Sequence, residues 1–572
     1  MRESLLLFRI LCSRPVLRIP RVVLKAVGDQ LRFRSPLPWL VAAVFVPIFC
    51  INAYVCDDAF IMLRVVDNLV RGHGMRWNTG ERVQVFTSPL HTLLTAIPYA
   101  FTHDSGVFPN PTRAYVTSIG LAFFLSILAL LEVLRCSRHV GKTLCALAFL
   151  LSSQAFVTFT SSGLETPLLY LLLAAFMRRY LWRAWGTGSN PRQQLELLLL
   201  FSLIALTRLD ATLVVLPAAT HIVLTSIRAD GVRAVPRIAA ASLPLVGWFG
   251  FALVYFGVLL PNTYYAKLGV DIDPQILLQM GVSYLGVGLL QDPITITALA
   301  VALPASLLRG GTRSVGIGLL LQVGYVVLIG GDFIGLRLIA PHLLVACIAG
   351  LRVMENGRDL RGPTLGFTIL GFATYNLLVP GSPLRVPVDG PNARDVRYYF
   401  EAARLSAWRP DRSFPFAPFH RVSSGDVCAG WRSLPPSVQI LDGGLAGFCM
   451  GPTQALLSPA GITDPLVARL PLKLASPFYP GHIVKPIPAG YEETVRTHEN
   501  QISDFDLAAY SSTIDRVTRG PLFAPERWRA IWQLNVSSPR YCCNYVARNP
   551  PYPAEFYYRH ETLAEEWRRL LR

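Results

Sequence analysis

The chain has 572 residues, 52% hydrophobic and only 16% charged, with a net charge of +17. Soluble globular chains carry about 25% charged residues, so the composition excludes a disordered scaffold and argues against a purely soluble enzyme. It fits a polytopic membrane protein with a soluble part attached. The basic residues sit in short clusters between apolar runs, where membrane topology is encoded, so nucleic acid is set aside as a partner.

Residues 1–37 are basic and interrupted by Pro15, Pro20 and Pro36. No small-residue cleavage site follows an early apolar core, so this segment reads as a cytoplasmic arm. Apolar runs follow at 38–55, 114–134, 143–160, 166–180, 196–208, 211–227, 238–258, 291–308, 314–330, 336–351 and 364–380. They predict about eleven transmembrane helices. Residues 89–101 read as an interfacial or re-entrant helix. The loops carrying Arg135/Arg138/Lys142, Arg178/Arg179/Arg183, Arg228/Arg233/Arg237, Arg309/Arg313 and Arg352/Arg358/Arg361 alternate with poorly basic ones. That alternation puts the N-terminus in the cytoplasm and the other loops outside.

Residues 38–380 are thus expected to form the membrane domain, with 57–112 as its first extracytoplasmic loop. From residue 381 proline is frequent, charges of both signs mix and no run can span a membrane. Residues 381–572 are expected to form one extracytoplasmic domain of mixed α/β structure. Cys428 and Cys449 would then lie in an oxidising space, as a disulfide or as two thiols. Cys542 and Cys543 are adjacent, which does not suit a zinc site.

The threading brings the conspicuous polar residues to one membrane face. Asp57 and Asp58 follow the first span, and Glu165 sits in the Ser161-Ser162-Gly163-Leu164-Glu165 turn. Arg208 and Asp210 lie where two runs meet, Asn262, Tyr264 and Lys267 follow the seventh, Asp332 follows Gly330-Gly331, and Arg337 begins the next run. Ionisable groups at span ends are costly unless paired or wetted, so their gathering predicts a cavity roofed by the soluble domain.

Asp57 or Asp58 can serve as a general base, or can cap a helix starting at Ala59. Apolar residues at 61, 65, 66, 69 and 70 predict an amphipathic helix on the membrane surface, ended by Gly72. Arg64, Asp67, Asn68 and Arg71 lie mostly off its apolar stripe. His73, between two glycines, and Glu81 are candidate substrate-lining residues, as are Glu165, Asp210, Asn262, Tyr264 and Asp332. Lys267, Arg337 and Arg208 are candidates for an anionic group, with salt bridges to Asp210, Asp332 or Glu165 as the alternative. His91 and His342 read as packed rather than metal-ligating. There is no P-loop or dinucleotide fingerprint, the residues name no cofactor, and a divalent metal is left open.

These residues carry a resemblance. Asp57-Asp58-Ala59-Phe60-Ile61, Gly72-His73-Gly74-Met75-Arg76-Trp77-Asn78, Gly80-Glu81-Arg82-Val83 and Phe86-Thr87-Ser88-Pro89-Leu90 come in the order seen in GT-C membrane glycosyltransferases. Among these the chain resembles the terminal β-(1→2)-arabinofuranosyltransferases of actinobacterial cell-wall synthesis. The resemblance continues through Ser162-Gly163-Leu164-Glu165-Thr166, Pro261-Asn262-Thr263-Tyr264-Tyr265-Ala266-Lys267 and Gly330-Gly331-Asp332. It reaches Gly461-Ile462-Thr463-Asp464-Pro465 and Gly481-His482-Ile483-Val484-Lys485-Pro486. Phe60, Val85 and His91 depart from it, where an aromatic hydroxyl, a glycine and a tryptophan are expected.

The resemblance implies a multi-pass enzyme of the bacterial plasma membrane. It would move a sugar, arabinofuranose by likeness, from a polyprenyl-phosphate donor to a glycan or glycolipid outside the cell. Asp57 or Asp58 would be the catalytic aspartate, acting as base, or as nucleophile if configuration is retained. The rival readings are a transferase using a mannose-like donor, a lipid-linked-sugar transporter and a non-catalytic glycan-binding assembly protein.

Overall fold

In the computed structural model the described residues are 36–102, 106, 108–182, 190–268, 272–332, 334–355, 363–379, 381–385, 403–407, 428–434, 438–440, 443–471, 483–537 and 545. The N-terminal arm, Cys542-Cys543 and the Gly481-His482 pair lie outside them. The fold is mostly helical. Helices α1 Leu37–Asn52, α2 Asp57–Val70, α3 Pro89–Thr102, α4 Pro111–Leu134 and α5 Val140–Ser152 come first. They are followed by α6 Gln154–Thr158, α7 Thr166–Leu181, α8 Pro191–Thr207, α9 Thr212–Asp230 and α10 Val235–Tyr255. Then come α11 Asn262–Lys267, α12 Pro274–Gln291, α13 Pro293–Leu308, α14 Arg313–Leu328, α15 Ala340–Val353 and α16 Pro363–Leu378.

Local chemistry sets several of these starts. Asn110 accepts from the Arg113 amide at 3.2 Å and Asn190 from the Arg192 amide at 2.9 Å, each followed by proline at the first helical position. Such caps satisfy amides that have no partner within the helix. The bundle core is made by α4 on α7, α7 on α15, α8 on α10, α9 on α14 and α13 on α15.

Pro111–Leu134 and the 44-residue stretch Thr212–Tyr255 are long and apolar enough to cross a membrane. The latter is interrupted by a 3₁₀ turn at Gly231–Ala234, where Gly231 has φ +55°. The outward apolar side chains of α10 and α13, such as Leu243, Val246, Val301 and Leu308, are more than half exposed, as lipid-facing residues would be. By length alone the described helices give two or three spans rather than about eleven. The other expected spans include Leu37–Asn52, Val140–Ser152, Arg313–Leu328 and Ala340–Val353, helices of 10–17 residues.

Two breaks were not anticipated from the sequence. The run at 143–160 divides at Ser153 into α5 and α6. Pro274–Gln291, not anticipated as a helix, joins α13 through a 115° bend at Asp292. The breaks meet. The Asp292 carboxylate accepts from the Ser153 hydroxyl at 2.9 Å, the Ala155 amide at 2.8 Å, and the Thr295 amide and hydroxyl at 3.1 and 2.8 Å. A buried carboxylate with four donors is what lets both helices break inside the bundle.

The C-terminal segment, expected to be a mixed α/β domain, is described only in part. Its described part holds α17 Ala429–Arg432, α18 Gly444–Met450, α19 Tyr491–Thr497, α20 Phe505–Arg519 and α21 Pro525–Trp532. Its strands are β1 Gln439–Ile440 and β2 Leu456–Leu457, a parallel pair with Gln439 opposite Leu456. Cys428 and Cys449 form a disulfide, their Cα atoms 5.0 Å apart.

This segment packs onto α2, so α2 is not an open helix on the membrane surface. Asp57, Phe60 and Arg64, at spacing i, i+3 and i+7, form one face. Asp57 Oδ2 and Oδ1 accept the amides of Gly444 and Leu445 at 2.8 and 2.9 Å. Phe60 meets Phe448 edge-on at 5.4 Å. Arg64, expected off the apolar stripe, is 1% exposed. Its guanidinium donates to the carbonyls of Trp77, Gly447 and Gln454 at 2.9, 2.5 and 3.0 Å and lies over the Trp77 ring at 4.6 Å. The helix touches so closely that a Cβ on Gly444 would stand 2.0 Å from the Asp57 carbonyl.

Removing Arg64 leaves buried carbonyls without a donor. Arg64→Ala is expected to cost about 3 kcal/mol or more, and Arg64→Lys, with no planar fork, to recover only part of it. Thermal melting of the purified chain in detergent checks both; melting temperatures equal to wild type would refute the clasp.

Candidate active site

Asp58, Lys267 and Arg337 come together at one end of the bundle. Asp58 lies on α2 beside, not on, the face held by α18. Its Oδ2 is 3.7 Å from Arg337 Nη1, and its side chain is 30% exposed. Arg337 precedes α15 and also pairs with Asp332 at 2.7 Å. Asp332 in turn accepts the Ile334 amide. Gly330 and Gly331, with φ of +85° and +77°, make the turn that presents Asp332.

Lys267 ends α11. It feels the charges of Asp58, Arg337, Asp332 and Arg208, and among the described residues it has no ion-pair partner. Burial lowers its ammonium below the ordinary lysine range, against the pull of Asp58.

A second group abuts the first. Arg208, the residue after α8, pairs with Glu165 at 3.1 Å and bidentately with Asp210 at 3.0 and 2.7 Å. Arg208 and Arg337 lie close enough to feel each other's charge. Glu165 precedes α7 on the Ser162-Gly163 turn. Gly163 has φ +78° there, and a Cβ would press on Val55 and Ala59 at 2.8 and 2.9 Å. The Cys56 amide donates to the Ser162 carbonyl at 3.0 Å, which ties that turn to the start of α2. The candidate cations are thus one cluster, and the salt bridges weighed as their alternative are present for Arg208 and Arg337.

Asp57 has a different environment. Neither it nor Asp58 caps its own helix, which begins at Asp57 after Cys56. Asp57 instead caps α18. Burial raises its carboxyl to about 6, partly offset by the two amides it accepts.

Glu81 and Asn262 lie in a third place, under the C-terminal segment. Glu81 accepts from Asn78 at 2.9 Å and faces Arg519 at 3.8 Å. Burial pushes its carboxyl up. The Asn262 amide group donates to the carbonyls of Gly461, Ile462 and Asp464 at 2.8, 3.1 and 3.0 Å. Its Oδ1 accepts from Arg469, which stacks on Tyr265 at 3.9 Å. Asp464, 4% exposed, accepts the Leu466 and Val467 amides and the Tyr491 hydroxyl. Burial, then the charge of Glu81, raises it to about 7. Tyr264 is 42% exposed and stands edge-on to Tyr265. His73 is in the turn after α2, away from Asp58; burial and the charge of Arg71 lower its imidazole.

Sequence reasoning missed Arg64, Asp292 and the Asp464–Tyr491 pair. The spacing of Asp57, Phe60 and Arg64 was a readable signal for the first. His342, expected to be packed, is 2% exposed at the start of α15, near Asp210 and Arg208. Its ring nitrogens lie by the Leu338 and Ile339 carbonyls without hydrogen-bond geometry. Among the described residues no three His, Cys, Asp or Glu side chains are placed to hold a metal ion.

The chain is similar to the terminal β-(1→2)-arabinofuranosyltransferase of Mycobacterium tuberculosis, 28% identical over 229 residues. That match covers 37% of this chain and 35% of the relative, so it spans about a third of the relative's length. It makes the two distant homologues and supports a glycosyltransferase role here. No family model and no solved structure matches the chain.

Asp464 gives the C-terminal segment a pH dependence. A carboxyl raised from 3.8 to about 7 contributes stability that is complete below pH 3.8 and is lost as pH rises through 7. The melting temperature is therefore expected to fall between about pH 4 and 7. Asp464→Asn, which keeps an acceptor oxygen, is expected to remove at least about 1 kcal/mol of that dependence. Identical pH slopes for the two proteins would contradict the assignment.

Proposed function

We propose that the chain is a membrane glycosyltransferase that moves arabinofuranose from a polyprenyl-phosphate donor to a cell-envelope glycan or glycolipid. The reaction takes place on the extracytoplasmic face of the bacterial plasma membrane. The observation that carries this reading is the placement of a partly exposed carboxylate, Asp58, against Arg337 and Lys267. Three supports stand beside it: the distant homology to an arabinofuranosyltransferase, the apolar helices, and the converging polar residues.

In this reading the donor phosphate sits on Lys267 and Arg337, while Arg208 is held by Glu165 and Asp210 behind them. An acceptor hydroxyl oxygen attacks the anomeric carbon as the bond from that carbon to the phosphate oxygen breaks. Asp58 takes the hydroxyl proton, and polyprenyl phosphate leaves with the bonding electrons. The sugar passes through an oxocarbenium-like transition state, and the two cations stabilise the charge growing on the leaving phosphate. Lys267 is suited to this because it forms no ion pair with a carboxylate among the described residues.

Asp58 is assigned as base over Asp57 because both Asp57 oxygens already accept backbone amides. One observation favours the other choice: the Asp57 carboxyl, raised to about 6, lies nearer the working pH of a base.

The two readings separate in a transfer assay with purified protein, polyprenyl-phosphoryl arabinofuranose and an oligoarabinan acceptor. Asp58→Asn is expected to lose transfer by a factor of 100 or more, roughly the contribution of general base catalysis, with its melting temperature unchanged. Asp57→Asn is expected to melt lower, because an amide cannot accept on both sides. A fully stable Asp57→Asn without activity, beside an active Asp58→Asn, would reverse the assignment. Transfer with a mannosyl donor only would keep the class and discard the sugar.

A further inference from the structure

Four arginines converge at the far end of the same helices. Arg135 and Arg138 follow α4, and Arg178 and Arg179 lie in the last turn of α7. With Trp182 and Glu355 they line a cavity of about 300 Å³. Helix α7 starts beside Glu165 and α15 starts near Arg337, yet both end at this cavity. The cavity and the Asp58 cluster therefore lie on opposite ends of the bundle, about 20 Å apart by the helical rise.

Charges that only mark topology would spread into water. These instead face one concavity, and they outnumber the carboxylates. Glu132 serves three of them, Arg135 at 3.3 Å, Arg178 at 2.6 Å and Arg179 at 3.5 Å, and Arg179 also pairs with Glu196. Glu355 accepts the Trp182 indole N–H at 3.0 Å. Arg138 is exposed and has no ion-pair partner among the described residues. A planar guanidinium matches a phosphate in both charge and geometry, and an indole at the rim suits the level of lipid headgroups.

We propose that this cavity is a binding site for a phosphate group, carried by an anionic lipid or present as free phosphate. In the orientation given above it opens to the cytoplasmic leaflet, where basic pockets between helices meet anionic headgroups. The proposal does not rest on the transferase reading, because it involves none of the residues assigned to that reaction.

The test uses the full chain with Arg138→Gln and Glu355→Gln. Retention of phosphatidylglycerol from mixed phosphatidylcholine nanodiscs is counted by native mass spectrometry. Binding of inorganic phosphate in detergent is followed by thermal shift. Any anion held at the opposite end is common to all proteins and cancels in the comparison. Arg138→Gln is expected to weaken binding about fivefold, as the loss of one basic residue does at an anionic surface. Glu355→Gln keeps an acceptor for Trp182 and removes a repelling charge, so it is expected to tighten binding, a gain that misfolding cannot mimic. Effects on phosphatidylglycerol alone assign the site to lipid; effects on inorganic phosphate alone assign it to the free ion. Wild-type affinity for both probes in both variants would overturn the proposal.

Discussion

The docking of one face of α2 onto α18 is the constraint on which the Asp58 end of the molecule depends. Among the described residues Arg64 has no acidic partner at bonding distance; its hydrogen bonds go to three main-chain carbonyls from two distant parts of the chain. Burying a guanidinium is costly, and the carbonyls of Trp77, Gly447 and Gln454 together with the Trp77 ring offset that cost. Asp57 does the complementary job two turns earlier by accepting amides from the start of α18. One helix face thus binds opposite backbone polarities at its two ends, which fixes both the register and the direction of α18 along it.

That arrangement frees the neighbouring residue. With Asp57 committed to α18, Asp58 is turned toward Arg337, Lys267 and the second cluster around Arg208. Carboxylates and cations alternate there, so most charges have a partner and the group can exist at the end of an apolar bundle. Among the described residues Lys267 is the exception, and the proposed chemistry uses it to receive the donor phosphate. The Asp292 junction makes a similar provision deeper in the bundle, where a carboxylate with four donors holds two broken helices together.

Much of this was legible in the chain. Apolar runs located most of the bundle helices, because burial of apolar surface is local in composition. Alternation of basic loops put Asp58, Glu165, Arg208, Lys267, Asp332 and Arg337 at one end, because side is inherited from helix to helix. The breaks at Ser153 and Asp292 were not legible, since the partners are 139 residues apart. Glu81 and Asn262 shared the expected side but bond to the C-terminal segment, a long-range contact that a motif does not encode. Arg64 was misplaced because an apolar stripe identifies only one buried face, whereas α2 is covered on a polar face as well.

The most direct test of the central claim is a cryo-EM structure of the purified chain with a non-transferable polyprenyl-phosphoryl arabinofuranose analogue. The account expects the phosphate within hydrogen-bond reach of Lys267 and Arg337. It also expects Asp58 to face the side of the anomeric carbon open to an acceptor, with Asp57 still on the amides of Gly444 and Leu445. A phosphate bound away from Lys267 and Arg337, or a sugar out of reach of Asp58, would contradict it.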